Sequence, residues 1–452
     1  MSSAPDPGTG SGTGPGTGRA MLSLDDALAR LVAGSLPHAL TATETVSTFD
    51  VLGRVLAADV RSALDVPPAD NTSMDGYAVR AADITAAGAV LPVSQRIPAG
   101  VVGAPLVPGS AARIFTGAQV PLGADAVVMQ EQCEALAEKD GGLGRVRVLA
   151  VPAAGQWVRR RGEDVREGAT VLARGTRLTP QALGLAASVG AGTLSVLRRP
   201  RVAVFSTGDE LVMPGEPLGP GAIYNSNRFT LRGLLQAAGC VVADFGIVPD
   251  RLDATREALR AAALHNDLIV TSGGVSVGEE DHLRPAVLAE GRLENWQIAI
   301  KPGKPLAFGA VRRGAAAGAS VAVDAGPTHG AIRTVAAGEA LFVGLPGNPV
   351  SSYVTFLLCV STVLRAMQGL PTALPQAMSL RAAVNWPSPD KRREFLRVRL
   401  NAAGELELFD NQSSGVLTSA VWADGLVDNA PGQAIARGDA VRYLPLSELV
   451  AR

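Results

Sequence analysis

Residues 199–212, RPRVAVFSTGDELV, decide the predicted fold. A nearly continuous apolar run ends there in polar, turn-forming residues, as central strands of α/β sheets do. Segments with helical and strand patterns then alternate: FTLRGLLQAAG (229–239), CVVADFGIV (240–248), ATREALRAAALHN (254–266) and DLIVTSGGVS (267–276). This alternation predicts a multidomain α/β protein that contains a doubly wound α/β domain.

The α/β pattern continues to about residue 371 and is interrupted once, by an Ala- and Gly-rich stretch at 311–340. We interpret this stretch as an inserted loop or hairpin on the rim of the domain. Near the start of the chain, Ser23 and Asp26 form a capping-box pattern that predicts a helix over 24–35. We expect this helix to pack with the later segment 165–198.

The remaining sequence predicts smaller, β-rich domains, because short strand patterns are punctuated by Pro and Gly. Residues 1–20 are rich in Gly, Thr, Ser and Pro and lack the basic and apolar regions of a secretion signal. The predicted domains are a disordered tail (1–20), a discontinuous domain (21–65 with 165–198), a β domain (66–164), the α/β domain (199–371) and a last β domain (372–452).

Charge and composition exclude several classes of function. With 41 basic and 42 acidic side chains the net charge is -1, so no overall field attracts nucleic acid or an anionic membrane. Apolar runs are broken by Gly, Pro or charge, and we expect no membrane span. Cys133, Cys240 and Cys359 are far apart without CxxC spacing, which argues against disulfides and zinc and favours a cytoplasmic protein. The four histidines are scattered, so histidine chemistry is not expected.

Polar loops follow the predicted strands of the α/β domain. In open α/β sheets, ligands collect beyond the carboxyl ends of the strands. Glycines in such loops let the backbone approach a ligand, and carboxylates suit a hard cation such as Mg²⁺. The loops are 207–210 (TGDE), 249–250 (PD), 272–281 (SGGVSVGEED) and 345–352 (LPGNPVSS).

Two of these loops have both an anion-binding and a structural interpretation. Backbone N–H groups in SGGVS can surround a phosphate, whereas Gly-Gly after a strand is more often a tight turn. In LPGNPVSS, Asn348 is predicted to cap a helix that starts at Pro349 and to leave N–H groups free for an anion. A good helix start explains the same residues. The patterns alone leave both interpretations open.

The segment QIAIKPGKPLAFG (297–309) contains Lys301 and Lys304, two of only four lysines in the chain. Two ammonium groups about 7 to 10 Å apart repel by roughly 0.5 to 2 kcal/mol unless an anion or carboxylates lie between them. Isolated lysines are usually solvated surface charges. The rigid Pro-Gly setting and the scarcity of lysine elsewhere favour an oxyanion site here.

Two further motifs are ambiguous by themselves. Asp75 in SMDGY fits a turn residue before glycine. The run RRRGED (159–164) fits a solvated charge run, or an arginine cluster for phosphate accompanied by two carboxylates. Composition does not distinguish these interpretations.

Seven motifs, in this order, resemble those of the molybdopterin molybdenumtransferase family of the MoeA type, which is related to the C-terminal region of gephyrin. They are NTSMDGYAVR (71–80), RIFTGAQVPLGADAVVMQEQ (113–132), RRRGEDV (159–165), VAVFSTGDEL (202–211), VTSGGVSVGEED (270–281), IKPGKPLAFG (300–309) and LPGNPVSS (345–352). The resemblance covers roughly residues 22–445. It implies an L-shaped homodimer with a MogA-like α/β domain, an elongated discontinuous domain, a protruding β domain and a C-terminal β barrel. It also implies a site between the α/β domain of one subunit and the second domain of the other.

The resemblance further implies insertion of molybdenum from molybdate into adenylylated molybdopterin, with hydrolysis and release of AMP, assisted by Mg²⁺. The expected partners are a molybdopterin-adenylylating protein and apo-molybdoenzymes or their chaperones, with neither nucleic acid nor a membrane. Two alternatives are the preceding Mg-ATP-dependent adenylylation of molybdopterin and a non-catalytic carrier or scaffold.

Motif positions and the resemblance together predict the site residues. The predicted catalytic residues are Asp75, Asp164, Glu210, Asp250, Asp281 and Lys301, of which Glu210, Asp250 and Asp281 are the predicted metal ligands. The predicted cofactor-binding residues are Thr116, Arg159, Ser272, Gly273, Gly274, Ser276, Lys304, Pro346, Gly347, Asn348, Pro349, Arg397 and Ser414. Glu163 also matches a family site position. Gln297 departs from the family pattern, in which bacterial relatives often carry a lysine, so the site has one positive charge fewer.

Overall fold

A computed structural model describes residues 21–137, 142–274, 282–314 and 338–450, without the side chain of Asn295. The predicted tail and positions 315–337 of the predicted insertion lie outside these residues. The chain divides into two compact units. Unit 1 is Met1–Ala42 with Arg198–Arg452, and unit 2 is Thr43–Leu197.

The described residues form the following helices and strands. The α-helices are α1 (Leu24–Ser35), α2 (Pro180–Ser188), α3 (Ser226–Ala237), α4 (Leu252–His265), α5 (Leu283–Glu290), α6 (Pro349–Thr355), α7 (Ser361–Met367), α8 (Leu417–Trp422) and α9 (Leu446–Val450). Short 3-10 turns lie at Leu36–His38, Thr48–Asp50, Ala81–Asp83 and Gln130–Gln132, and a π turn at Phe356–Val360 joins α6 to α7. The strands are β1 (Thr43–Ser47), β2 (Val60–Arg61), β3 (Asn71–Thr72), β4 (Gly76–Val79), β5 (Ala89–Ile97), β6 (Ala111–Ile114), β7 (Ala126–Met129), β8 (Cys133–Leu136), β9 (Arg145–Val148), β10 (Val158–Arg159), β11 (Thr170–Leu172), β12 (Thr193–Leu197), β13 (Arg201–Thr207), β14 (Leu211–Val212), β15 (Ile223–Tyr224), β16 (Val241–Val248), β17 (Leu268–Ser272), β18 (Gly291–Gln297), β19 (Ile300–Lys301), β20 (Pro305–Arg312), β21 (Glu339–Leu345), β22 (Met378–Arg381), β23 (Arg393–Leu400), β24 (Leu406–Leu408), β25 (Gly425–Asn429) and β26 (Ala440–Pro445).

The α/β sheet of unit 1 has the strand order β16-β13-β17-β21-β20-β18. The first four strands are parallel, and β20 and β18 continue the sheet in antiparallel fashion. Val202 and Val204 of β13 pack in one apolar cluster with α3, α6 and α7, while Ala203 and Phe205 pack in another with α4 and α5. Helices therefore cover both faces, as predicted for a doubly wound domain. The sequence patterns do not predict β18 and β20.

Helix α1 belongs to unit 1. Its cap is the predicted one, since the Asp26 N–H donates to the Ser23 Oγ at 3.1 Å. Its buried residues Leu24, Ala27 and Leu31 share an apolar cluster with strand β13. The expectation that this helix packs with segment 165–198 is therefore wrong. An amphipathic pattern identifies an apolar face but not the surface that covers it.

A helix of 19 residues, Pro349–Met367, runs through α6, the π turn and α7. Its length and hydropathy alone would match those of a membrane span. Within the structure 83% of its most apolar window is buried. Val354, Leu358 and Met367 lie in the core of unit 1. The helix is thus packed as a core helix.

The C-terminal sheet of unit 1 has the order β19-β23-β25-β26-β22, with β24 paired to β23. Ala382, just after β22, bridges Leu406 of β24. The next N–H, that of Ala383, donates to the Leu406 carbonyl at 2.9 Å. This bridge closes the sheet on itself around buried Leu396, Val427 and other apolar side chains. The C-terminal β barrel of the predicted fold is confirmed.

Unit 2 is built mainly from strands. Its largest sheet has the order β7-β4-β6-β5-β9-β8, and smaller two-stranded sheets pair β1 with β12, β3 with β10 and β2 with β11. Helix α2 starts at Pro180 after Thr179, whose hydroxyl accepts the Ala182 N–H at 3.4 Å. The division of the chain into the predicted domains stays a prediction.

Candidate functional site

Strands β13 and β17 end side by side at the topological switch point of the α/β sheet. Strand β16 lies on one side of β13, and β17 lies on the other. Ser206 and Ser272 are register partners near the two strand ends, and their hydroxyl oxygens are 3.2 Å apart. In sheets of this type, ligands bind in the crevice beyond such a point. The predicted binding residue Ser272 therefore lies at the expected edge of the sheet.

Glycines bring the loops after β17 and β21 into close contact. Gly273 has a φ of 89°, and a Cβ there would lie 2.9 Å from the Thr207 carbonyl oxygen. A Cβ on Gly347 would lie 3.8 Å from the Gly273 Cα. The Gly273 N–H donates to the Leu345 carbonyl at 3.1 Å. The Gly273 N–H therefore already has an acceptor within the protein. Gly274 has a φ of 66°. Ser276 lies outside the described residues.

Carboxylates lie at the neighbouring strand ends. The Asp250 N–H donates to Asp209 Oδ1 at 3.2 Å. Burial raises the pKa of Asp250, with smaller contributions that lower it from His282 and raise it from Asp209 and Glu210. Within the described ranges no three His, Cys, Asp or Glu side chains converge into a metal site. Asp281, the third predicted ligand, lies outside those ranges.

The loop after β21 leads into α6, which begins at Pro349 as predicted. The Asn348 side chain makes no capping hydrogen bond, so the predicted side-chain cap is wrong. The Val350 N–H donates to the Ser414 carbonyl at 2.9 Å, and that N–H is not free for an anion. The carbonyl of Gly347 accepts from the Asn227 side chain at 2.7 Å. The predicted residues Pro346 to Pro349 and Ser414 are brought together here.

Lys301 lies between two carboxylates. Its Nζ is 3.2 Å from Glu394 Oε1 and 3.5 Å from Asp390 Oδ2. The Lys301 side chain is 38% exposed, whereas that of Glu394 is 1% exposed. Lys304 is exposed and forms no ion pair within the described part of the chain. Carboxylates thus accompany Lys301, and its oxyanion role stays a prediction.

The Pro302-Gly303 turn between the two lysines packs on α6. Gly303 has a φ of 113°, and a Cβ there would overlap the Oγ1 of Thr355. Thr355 is fully buried, and its hydroxyl has no hydrogen-bond partner among the described residues. Glycine is required at 303 because both the backbone conformation and the close approach exclude a side chain.

Arg397 is buried behind the Ser414 loop, with 1% of the residue exposed. Burial lowers its pKa to about 10. The guanidinium donates to Ser419 Oγ at 3.1 Å and to the carbonyls of Phe395 and Ser413 at 3.3 Å each. These three acceptors are neutral. Arg397 lies on the face of β23 opposite to the barrel-core residues Leu396 and Val398, and from there it orders the chain next to Ser414.

Within unit 2, Asp75 and Thr116 form a pair. Asp75 Oδ1 accepts the Thr116 N–H at 2.8 Å and its hydroxyl at 2.7 Å. These hydrogen bonds lower the pKa of Asp75, which favours the anionic form. Glu163 and Asp164 are exposed, and Glu163 accepts the Arg160 N–H at 2.8 Å.

The three arginines of the RRRGED run differ in their contacts. Arg160 pairs with Asp70 at 2.7 Å and Arg161 with Asp65 at 2.6 Å, so these two arginines hold carboxylates of their own unit. Arg159 is exposed on β10 and forms no ion pair within the described residues. Of the three arginines, Arg159 is the one predicted to bind the cofactor.

Glu394 and Asn227 are not among the predicted site residues, although both contact them. The signal for Glu394 is an acidic residue within the apolar strand pattern REFLRVRL. Asn227 lies in the first turn of α3, and no feature of the sequence distinguishes it from a surface asparagine.

Comparison with known proteins assigns a family. Three family models match the chain in order: "MoeA N-terminal region (domain I and II)" over 22–190, "Probable molybdopterin binding domain" over 203–366 and "MoeA C-terminal region (domain IV)" over 379–446. A molybdopterin molybdenumtransferase of Haemophilus influenzae is 38% identical over 392 residues, which cover 86% of this chain and 89% of that protein. The chain belongs to the MoeA family.

Other members of the MoeA family are similar over comparable lengths. Molybdopterin molybdenumtransferase 2 of Mycobacterium tuberculosis is 37% identical over 396 residues, with 85% of this chain and 90% of that protein covered. The crystal structure of the molybdopterin biosynthesis MoeA protein of Pyrococcus horikoshii OT3 is 27% identical, covers 94% of this chain and 99% of its own, and has a TM-score of 0.74. The resemblance drawn from seven motifs is confirmed, as is the MoeA-type fold.

Proposed function

We propose that this protein is a molybdopterin molybdenumtransferase. It inserts molybdenum from molybdate into adenylylated molybdopterin, with hydrolysis and release of AMP. The observation that carries the proposal is similarity to proteins of that name along most of their length, at 37% to 38% identity. The α/β sheet supports it, because its switch-point crevice is where a nucleotide-bearing ligand binds in such folds.

The proposal includes Mg²⁺ at the strand ends that carry Glu210 and Asp250. Mg²⁺ in phosphate chemistry commonly takes one or two carboxylates and completes its shell with phosphate oxygens and water. Two neighbouring carboxylates fit this donor set. Burial raises the pKa of Asp250, and a divalent cation would favour its ionised form. When bound, Mg²⁺ neutralises charge that develops on the leaving phosphate.

The chain's own residues position the substrates rather than attack them. Burial raises the pKa of Cys133 to about 11 and that of Cys359 to about 12, so neither thiol is an activated nucleophile. The Gly273 and Gly347 turns let the ligand approach the backbone. The ammonium of Lys304, which is exposed, neutralises an oxyanion or phosphate. Positioning and electrostatics supply the catalysis.

We also propose a homodimer in the cytoplasm that receives substrate from a molybdopterin-adenylylating protein and passes cofactor to apo-molybdoenzymes or their chaperones. The MoeA-family membership supports these partners. The site residues of unit 2, Asp75, Thr116, Arg159, Glu163 and Asp164, are proposed to complete the site across the dimer.

The test is AMP release from adenylylated molybdopterin by the purified protein with Mg²⁺, with and without molybdate. Molybdate-dependent AMP together with activation of a molybdenum-free apoenzyme supports the transferase. ATP consumption with unmodified molybdopterin would instead identify the adenylylating step. Tight binding without AMP would identify a carrier.

Asp250→Asn tests the metal proposal. Losing one ligand is expected to raise the Mg²⁺ concentration for half-maximal AMP release by about tenfold, the equivalent of roughly 1.4 kcal/mol. Asp253→Asn is the control, because Asp253 is an exposed carboxylate in the first turn of α4. An equal Mg²⁺ requirement in both variants would remove Asp250 as a ligand.

A further inference from the structure

Glu394 is a buried carboxylate to which the family motifs assign no role. A charge at 1% exposure is costly unless it is paired and hydrogen-bonded. The two oxygens of Glu394 accept from Lys301 Nζ at 3.2 Å, Trp386 Nε1 at 2.9 Å and Asn429 Nδ2 at 3.3 Å. Among the described residues, Lys301 is the cation that pairs with it.

The backbone holds the two residues opposite each other. Strands β19 and β23 pair in parallel with Lys301 as the register partner of Glu394. The neighbouring Arg393 N–H donates to the Ala299 carbonyl at 2.9 Å. After Lys301, the Gly303 turn packs directly on α6. The Cα of Lys301 is therefore fixed from both sides, and only its four-carbon stem remains to be ordered.

Asp390 is the weaker of the two carboxylate partners. Arg392 already engages both of its oxygens, with Nε and a terminal nitrogen each at 2.9 Å. The hydrogen bonds from Arg392 hold the pKa of Asp390 well below its usual range. Lys301 Nζ lies 3.5 Å from Asp390, against 3.2 Å from Glu394. Glu394 therefore determines where the ammonium sits.

We propose that Glu394 positions the Lys301 ammonium to bind the oxyanion of the reaction proposed above. An ammonium has three donors. One donates to Glu394 Oε1, Asp390 Oδ2 lies 3.5 Å from the Nζ atom, and with 38% of the Lys301 side chain exposed a donor remains for a ligand. A lysine that is ordered in advance loses little rotamer freedom when the oxyanion binds. The inference rests on the proposed function.

The kinetic test compares Glu394→Gln with wild type in molybdate-dependent AMP release. Freeing the ammonium is expected to raise KM for molybdate about tenfold, while kcat stays within about twofold. Glu394→Asp retains the charge on a shorter stem and is expected to restore part of the affinity. An unchanged or lower KM in Glu394→Gln would overturn the proposal, because a carboxylate that merely competes with the oxyanion predicts that result.

The matched control is Asp428→Asn. Asp428 lies on β25 of the same sheet, has a side chain 3% exposed and pairs with Arg393 and Arg442 rather than with Lys301. This variant loses a buried carboxylate and is expected to lose stability without a change in KM for molybdate. A similar rise in KM in both variants would mean that the effect is general destabilisation, and would overturn the positioning role.

A second readout is independent of activity. With four lysines in the chain, the ¹H–¹⁵N spectrum of the lysine ammonium groups is simple, and Lys301→Arg identifies the Lys301 signal. We expect slow proton exchange, and hence a visible signal, in wild type and Asp428→Asn, and loss of that signal in Glu394→Gln. A signal that persists in Glu394→Gln would overturn the inference. A visible Lys301 signal in the wild type without molybdate-dependent AMP release would support the positioning of Lys301 by Glu394 and overturn the proposed transferase function.

Discussion

Replacing Gly303 by alanine is expected to destabilise unit 1 through its contact with Thr355. The φ of 113° lies in a region that residues with a Cβ rarely adopt, at a cost of about 1 to 3 kcal/mol. The added Cβ also overlaps the Thr355 Oγ1, and overpacking of this kind costs about 1 to 3 kcal/mol. The expected total loss of unfolding free energy is therefore roughly 2 to 6 kcal/mol.

Removing the Thr355 side chain separates these two contributions. The Thr355 hydroxyl is buried and finds no hydrogen-bond partner in the described part of the chain, so Thr355→Ala is expected to cost only about 1 kcal/mol, chiefly for the lost methyl group. In that background the steric overlap disappears and the backbone cost remains. Gly303→Ala is then expected to cost about 1 to 3 kcal/mol less than it does in wild type.

Gly338→Ala is the control for the backbone contribution. Gly338 has a φ of 109°, and a Cβ added there would have no atom of a described residue within 4 Å, so among these residues only the backbone cost applies. The measurement is urea unfolding of all four variants, followed by circular dichroism. The reasoning is refuted by a Gly303→Ala loss that is equal in the two Thr355 backgrounds, or no larger than that of Gly338→Ala.

Two further predictions concern charged groups. Lys301→Met leaves Glu394 buried among neutral donors and is expected to lower the free energy of unfolding in urea by about 2 to 3 kcal/mol. This is less than for a fully buried pair, because water reaches Lys301. Adding Glu394→Gln is expected to restore about 1 to 2 kcal/mol, and no restoration would contradict the pairing. Hydrogen bonds from Arg260, and also Arg256, lower the pKa of Glu290 from 4.5 to about 2. Because the pKa of Glu290 is lower in the folded protein, its ionised carboxylate stabilises the fold fully above pH 4.5. This stabilisation is lost as the pH falls towards 2. The melting temperature of Glu290→Gln is therefore expected to lie below that of wild type at about pH 6 and to converge with it near about pH 2.5, whereas a constant difference would exclude this linkage.

The α/β core could be predicted from local patterns, and its contacts could not. Continuous apolar runs indicate the strands of residues 201–207 and 268–272, because both sheet faces are covered. Helix α1 shows its apolar face in sequence, but its partner lies far along the chain. The strand 305–312 follows a Pro-Gly turn and pairs with residues on both sides of it, a non-local arrangement that short-range periodicity does not encode.

In the candidate site too, local patterns predicted the positions of the loops but not the contacts between distant residues. The loops at strand ends could be placed at one edge from topology alone, and the structure places Ser272 and Gly347 there. The ion pair of Lys301 with Glu394 spans 93 positions in sequence, so the sequence indicated only that a partner was needed. Arg161 similarly pairs with Asp65 across 96 positions. Such pairings depend on the completed fold.

The helix Pro349–Met367 connects the candidate binding edge of the α/β sheet with the core of unit 1. Its first turn follows the Gly347 loop, and its later turns lie in the core. Segments with many buried contacts open only with the unit as a whole, whereas sparsely packed loops fray independently. The backbone amides of the helix are therefore expected to exchange with solvent on the timescale of global unfolding. A ligand at this edge is therefore expected to meet the start of a helix whose backbone keeps one conformation until unit 1 unfolds.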